Sequence, residues 1–230
     1  MINLNFLLRD KLCRLILPAL AITAIIIAHF VVFAIVPDER VMGPVQRIFY
    51  FHVGAAMTVY AMVAVLFFAS VFYLGSKRWE WDSLASAAAS VGLLFSTIVL
   101  ATGMIWGHSA WNTWWRWEPR LVSFLVLWLI LLSYVLLRDF TAGNDRQRSF
   151  MAILGVLAAV NVPIVIFSVK LLDHSEQLHP EVVANQGLRD LRFVYGLIAG
   201  NIATILLGVW LAVIKLTNVL LLRECSLLRR

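Results

Sequence analysis

The stretch Leu15–Val36 reads LILPALAITAIIIAHFVVFAIV, twenty-two residues with no Asp, Glu, Lys or Arg. A bilayer core of about 30 Å is crossed by about 20 helical residues rising 1.5 Å each, so this run can span it. Five further runs have the same character: His52–Leu74, Leu84–Trp106, Leu121–Leu137, Phe150–Val169 and Phe193–Ile214. Composition agrees, at 62% hydrophobic and 14% charged, against about 45–50% and about 25% in soluble domains. That excludes the common soluble enzyme classes and excludes disorder, which needs low hydrophobicity. Long unbroken apolar runs also exclude an outer-membrane barrel, whose strands would alternate. The sequence therefore predicts an all-α integral membrane protein, a bundle of about six transmembrane helices forming one membrane domain over residues 1–230. The first run is long for a cleaved signal core and no small-x-small site follows it, so it reads as an uncleaved anchor.

The 230 residues carry a formal charge of +6. In a soluble protein that would suggest nucleic acid; between spans it reports orientation, because Lys and Arg favour cytoplasmic loops. With the N-terminus inside, eleven Lys and Arg fall inside and seven outside, and Lys215 can snorkel from the last run. Both termini are then cytoplasmic, the partner surface is a lipid bilayer, and no nucleic acid is expected. Cys13 and Cys225 lie far apart in the chain with no CxxC or CxxCH, so neither a dithiol redox pair nor a c-type haem attachment site is present. In cytoplasmic termini they would stay reduced. Asn161 and Pro163 interrupt the fifth run, where a kink is expected, and Ala85, Ala87, Ala88, Ala89 and Gly92 let another helix approach the third.

The outer loops hold the chemistry. Five of the nine Trp lie between Trp106 and Trp117, in WGHSAWNTWWRWEPR. Four of the five His (His52, His108, His174 and His179) lie on or next to the same membrane face. Taken as helical from Trp111, the loop puts Trp111, Trp114, Trp115 and Trp117 on one face of about 160°, with Arg116 nearly opposite. An aromatic belt is the ordinary reading of interfacial Trp, but a belt spreads its rings over many helix ends. The alternative is a platform for a large flat apolar ligand, for which indoles supply area at small entropic cost. A haem has that shape, with two carboxylates for Arg and an iron for His. His52 and the third-loop histidines can supply ligands. A lone His at a helix end is ordinarily just interfacial, and it is the His on each side of the Trp loop that points to haem. His29 is the one mid-span histidine, where a polar contact between helices is expected, and His108 reads as an interfacial side chain.

These residues resemble the tryptophan-rich haem-handling family of cytochrome c maturation, in its CcmC-type, small six-span form. The resemblance rests on Trp106-Gly107, Trp111, Trp114-Trp115, Trp117, Glu118 and Arg120, on Arg47-Ile-Phe-Tyr-Phe-His52-Val-Gly-Ala-Ala-Met57, and on Phe167-Ser-Val-Lys170. It covers nearly the whole chain. It implies haem b bound at the outer, periplasmic face of a bacterial inner membrane, with His52 and a third-loop His as axial ligands. The platform would be Trp106, Trp111, Trp114, Trp115 and Trp117, assisted by Arg120 and Arg47. Haem would pass to a membrane-anchored haem chaperone of the CcmE type, together with an ATP-binding-cassette transporter complex, which makes the protein a delivery component and not an enzyme. Departures from the family pattern are Glu118 for Asp, Gly54 for Pro, Met57 for Trp, Leu171-Leu172 for a Trp pair, and about three extra residues before the third-loop His. Leu178-His179-Pro180 resembles the family's ligand segment and selects His179, with His174 as the alternative.

Two other functions compete. A b-type electron-transfer protein would place paired histidines inside the bundle, where only His29 is available. A small-molecule transporter would use Asn161 and Pro163 as a broken helix, but few ionisable residues lie deep in the spans.

Overall fold

A computed structural model describes residues 11–40, 42–140, 144–168 and 190–228. Among them are six helices long and apolar enough to cross a membrane. We label them α1 (Leu12–Ile35), α2 (Pro44–Ser76), α3 (Trp79–Trp111), α4 (Pro119–Phe140), α5 (Asp145–Phe167) and α6 (Leu191–Leu228). The chain is a multi-pass helical membrane protein.

The helices are longer than hydropathy indicates, because an apolar run marks only the part that needs hydrocarbon. α2 is the clearest case. Gly43, at φ +60°, turns the chain, and Pro44 opens the helix with its fixed φ. His52 therefore lies two turns inside a helix and not at its first residue. The turn between α2 and α3 is tight: Lys77 takes the left-handed conformation at φ 54°, and its N–H donates to the Tyr73 carbonyl at 2.7 Å.

α2 and α3 form the central antiparallel pair. α5 and α4 pack on one side of it, α6 on the other, and α1 leans on α6. The alanine-rich face of α3 is buried, with Ala85, Ala87, Ala88 and Ala89 each no more than 2% exposed. Ala85, Ala88 and Ala89 lie in the core with Val59, Met62 and Leu66 of α2 and Leu127 and Leu131 of α4, and Ala87 packs with Leu216 and Leu220 of α6. α2 and α6 approach even more closely, through glycine on both helices. A Cβ on Gly54 would stand 2.7 Å from the Gly200 carbonyl oxygen, and one on Gly200 would stand 2.6 Å from the Tyr50 carbonyl oxygen. The feature recurs along α6 at Gly196, four residues before Gly200, and at Gly208, eight after it, the small-residue seam that lets backbones meet in membranes.

Polar cross-links fix the register of the outer helices. Asn161 of α5 is buried and donates its side-chain N–H to the Ser123 carbonyl of α4 at 2.9 Å. The α5 helix continues through Pro163. Trp128 of α4 donates its indole N–H to Thr97 of α3 at 2.9 Å. At one end of the bundle Asp82 of α3 accepts both guanidinium N–H groups of Arg138 from α4, each at 2.9 Å, with Arg148 of α5 at 3.7 Å. The opposite end carries His52 and the tryptophans.

Candidate functional site

At the tryptophan end, the first two turns of α2 face the last turns of α3. Phe49, Tyr50 and Trp106 form a small buried cluster with Val32 of α1 and Val36 just past its end. His52 lies beside it, 8% exposed, with its ring centroid 6.1 Å from Trp106. Its Nδ1 is 2.9 Å from the Thr102 hydroxyl of α3. Gly103 leaves the ring room, since a Cβ there would stand 3.2 Å from His52 Cε1.

The tryptophan loop differs from the helical reading. α3 ends at Trp111, and Asn112 caps it in the left-handed conformation, φ 53°, donating its N–H to the His108 carbonyl at 2.9 Å. Residues 113–118 are not helical, and α4 starts at Pro119. Both boundaries have a local cause. Asn tolerates the left-handed region, and the residue before a proline is pushed out of the helical region. The rings therefore do not lie on one helical face. Trp106 and Trp111 pair at 5.4 Å, His108 stacks on Trp114 at 4.1 Å with planes 7° apart, and Trp115 meets Trp117 edge-on at 5.8 Å. Arg116, placed opposite the rings by the helical reading, instead lies 3.9 Å from the Glu118 carboxylate.

The result is graded in exposure. Trp106 is 4% exposed, Trp111 and Trp114 are partly open, and Trp117 is 78% exposed. Trp117 offers bare aromatic surface while Trp106 serves the core. Gly107 permits the fold-back, because a Cβ there would stand 3.0 Å from the Thr113 carbonyl oxygen.

The two arginines differ. Arg47, on the first turn of α2, pairs with Asp38 at 2.8 Å and lies over the Phe33 ring at 5.6 Å. Arg120 lies on the first turn of α4, where its carbonyl accepts the Ser123 hydroxyl at 3.1 Å. Glu118 sets that turn by accepting the Val122 N–H on its carbonyl at 2.9 Å.

Among the described residues, several buried polar atoms at this end have no hydrogen-bond partner: Arg47 Nε, Trp106 Nε1, Trp115 Nε1 and Gln46 Oε1. Three are donors that lack an acceptor. Buried donors are nearly always satisfied in native structures and are costly otherwise. A ligand carrying carboxylates and an apolar body suits this end, and the residues present fit a haem. His52 could hold its iron, the indoles its ring and the arginines its propionates. His179 and His174 lie outside the described residues.

Among the described residues, His29 makes its hydrogen bond within its own helix and not across helices. Its Nδ1 is 2.8 Å from Ile25 O of the same helix, and its ring lies 4.9 Å from Phe51 of α2 and 6.0 Å from Phe33. An exposed polar ring in a lipid-facing helix turns to the nearest backbone acceptor, its own i−4 carbonyl. Two residues beside His52 and Trp106 carried no signal in the sequence: Thr102 and Gly103. Nothing in their identity singled them out, and only their helical spacing from Trp106 could have.

Comparison with known proteins follows the same direction. Residues 5–230 match the family described as Heme exporter protein C. Similar proteins carry that name. One from Bradyrhizobium diazoefficiens is 33% identical over 91% of this chain and 80% of its own length. Another, from Escherichia coli K12, is 34% identical over 70% of this chain and 66% of its own. A third, from Paracoccus denitrificans, is 33% identical over 54% of this chain, and the match spans about half, 52%, of that relative's length.

Proposed function

Because this chain belongs to the Heme exporter protein C family, we propose that it handles haem for c-type cytochrome maturation, holding it at the tryptophan end. The cargo in this reading is haem b, carried without covalent attachment. His52 supplies one axial nitrogen and His179 of the third outer loop the other, with His174 the alternative. Trp106, Trp111, Trp114, Trp115 and Trp117 line the ring. Arg120 and Arg47 meet the propionates. The tryptophan end faces the periplasm across a bacterial inner membrane, with both termini in the cytoplasm and residues 1–230 acting as one membrane domain. Haem passes from there to a CcmE-type chaperone, working with an ATP-binding-cassette complex, and the chain itself carries out no covalent chemistry.

The observation that carries this reading is a set of buried donors at the end of the bundle that holds the buried His52. Among the described residues, Arg47 Nε, Trp106 Nε1 and Trp115 Nε1 are buried without acceptors, and Trp106 is the one that lies beside His52. A ligand with two carboxylates would satisfy donors that an aromatic belt leaves unpaired.

The test is spectroscopic. The full chain, purified in mild detergent from haem-supplied cells, should show a low-spin b-type spectrum with near-stoichiometric haem. His52→Ala and His179→Ala should each lower occupancy or alter the axial-ligand spectrum, and a fall with His174→Ala alone would transfer the second ligand to His174. Absence of haem in cells co-expressing the chaperone would end the reading.

A further inference from the structure

We infer that Thr102 is a positioning residue for His52: its hydroxyl holds the ring as the Nδ1–H tautomer and so leaves Nε2 bare for a ligand. The inference deepens the haem-handling reading and rests on it for the identity of that ligand.

Thr102 Oγ1 has three polar neighbours: the Ile98 carbonyl oxygen at 2.7 Å, the Val99 carbonyl oxygen at 3.3 Å and His52 Nδ1 at 2.9 Å. The hydroxyl has a single hydrogen, and carbonyl oxygens can only accept. At 2.7 Å the Ile98 contact is tenable only with that hydrogen between the two oxygens, since otherwise two sets of lone pairs would face each other. Toward His52, Thr102 therefore presents a lone pair, and Nδ1 must carry the proton. A neutral imidazole has one N–H, so Nε2 keeps its lone pair.

The neighbouring side chains hold the ring in the same attitude. Gly103 follows Thr102, and a Cβ there would stand 3.2 Å from Cε1 and 3.9 Å from Nδ1, so any larger residue presses on the edge between the two nitrogens. Trp106, one turn on, lies against the ring with planes inclined by 56°. One turn of α3 thus sets the tautomer, the clearance and the tilt of a side chain on α2. A hydrogen bond to the distal nitrogen of a metal-ligating His orients it and raises its basicity, and losing such a partner typically costs about 10–100-fold in affinity.

The experiment uses the full chain in detergent with 15N-labelled histidine, the His52 signals being assigned by their loss in His52→Ala. Without haem, His52 should show a protonated Nδ1 and an unprotonated Nε2. Thr102→Val keeps the shape and removes the acceptor, and it should give a mixture of tautomers or the reverse one. Thr102→Ser should restore the wild-type pattern. With haem added, Thr102→Val should weaken retention about 10–100-fold, while Thr102→Ser stays within about twofold and both melt as wild type does. An unchanged Nδ1–H signal in Thr102→Val overturns the inference, as does an equal loss of haem in Thr102→Val and Thr102→Ser, which would mark a packing role. If His52→Ala retains haem, the haem reading of His52 fails, and the haem-free spectra still decide the tautomer.

Discussion

Replacing Gly200 with alanine should weaken the seam between α2 and α6 that holds His52's helix in place. The new Cβ would stand 2.6 Å from the Tyr50 carbonyl oxygen, 3.0 Å from its carbon and 3.3 Å from its Cβ. Ordinary contact begins at 3.4 Å, so the two backbones must part by about 0.8 Å. The obstacle is main chain, and no rotamer change relieves it. Overpacking of this kind costs about 1–3 kcal/mol. Alanine also returns about 1 kcal/mol of helix propensity, which must be separated from the clash. Gly75 provides the control: it is helical, and a Cβ there meets nothing within 4 Å. Gly75→Ala should be neutral or slightly stabilising, so the gap between the two variants isolates the packing. At roughly 2–4 °C per kcal/mol for a chain of this size, Gly200→Ala should melt roughly 2–12 °C below Gly75→Ala. Tryptophan fluorescence during a thermal ramp in detergent reads the difference. Tyr50 is two residues from His52, so haem retention should fall in Gly200→Ala and stay unchanged in Gly75→Ala. Equal melting of the two variants would refute the close-approach argument, whatever happened to haem.

Trp117→Ala should lower haem retention without altering the melting temperature, because the ring is 78% exposed. Trp106→Ala should lower both, at about 3–5 kcal/mol for a buried aromatic, and wild-type retention in Trp117→Ala would remove that ring from the platform. Asp82→Asn should destabilise the chain by about 3–5 kcal/mol, since it leaves the Arg138 guanidinium partly buried without its carboxylate; the double variant Asp82→Leu, Arg138→Met should recover most of the loss, and a single variant that melts as wild type does would show the pair to be dispensable. Asp38→Asn frees the Arg47 guanidinium from its 2.8 Å partner, so haem should leave more slowly for excess apomyoglobin, and faster loss would assign Asp38 a supporting role instead. The Arg192 guanidinium holds the Asp190 carboxyl below the usual carboxylate range; its contribution to the first turn of α6 is complete above the unfolded value of about 3.9 and is lost as pH falls through the depressed one. The protection factor of the Arg192 amide, its exchange rate relative to the intrinsic rate at each pH, reads this contact, since the amide donates to Asp190 at 2.9 Å; it should fall on acidification in the wild type and show no such step in Asp190→Asn.

The six helices were legible because length and apolarity suffice to mark a membrane crossing. Their ends were not. Hydropathy sees the part of α2 from His52 onward and misses Pro44–Phe51, whose start signal is Gly43-Pro44 within a mixed stretch. That omission put His52 at a helix end, when in fact two turns of helix precede it and bury it. The tryptophan loop failed for a related reason. Ring spacing at helical intervals is compatible with a helix, but Asn112 and Pro119 are local stop and start signals, and they prevailed over the periodicity. Pairings across helices were out of reach altogether. Asp82 and Arg138 are 56 residues apart, and their meeting depends on the register of α3 against α4, which no single-helix pattern encodes.

A side chain that must hold a ligand in a fixed attitude needs a helix that cannot slide or rotate. α2 meets that need through its closest contacts, glycine to backbone against α6 and alanine-lined against α3, neither of which has side-chain freedom to absorb movement. His52 lies between Tyr50 and Gly54, the two α2 residues that meet Gly200 of the α6 seam, and its ring points toward the Thr102–Trp106 turn of α3. A shift of either neighbouring helix is therefore transmitted to His52. The exposed tryptophans, on a segment free of helical register, can adjust to a flat ligand while the histidine stays fixed. In the proposed function, a fixed histidine beside an adaptable aromatic surface would suit a carrier that must bind its cargo specifically and still release it. If instead the loop were as rigid as α2, Trp117→Ala and Trp106→Ala would alter melting temperature alike, and the division of roles argued here would fail.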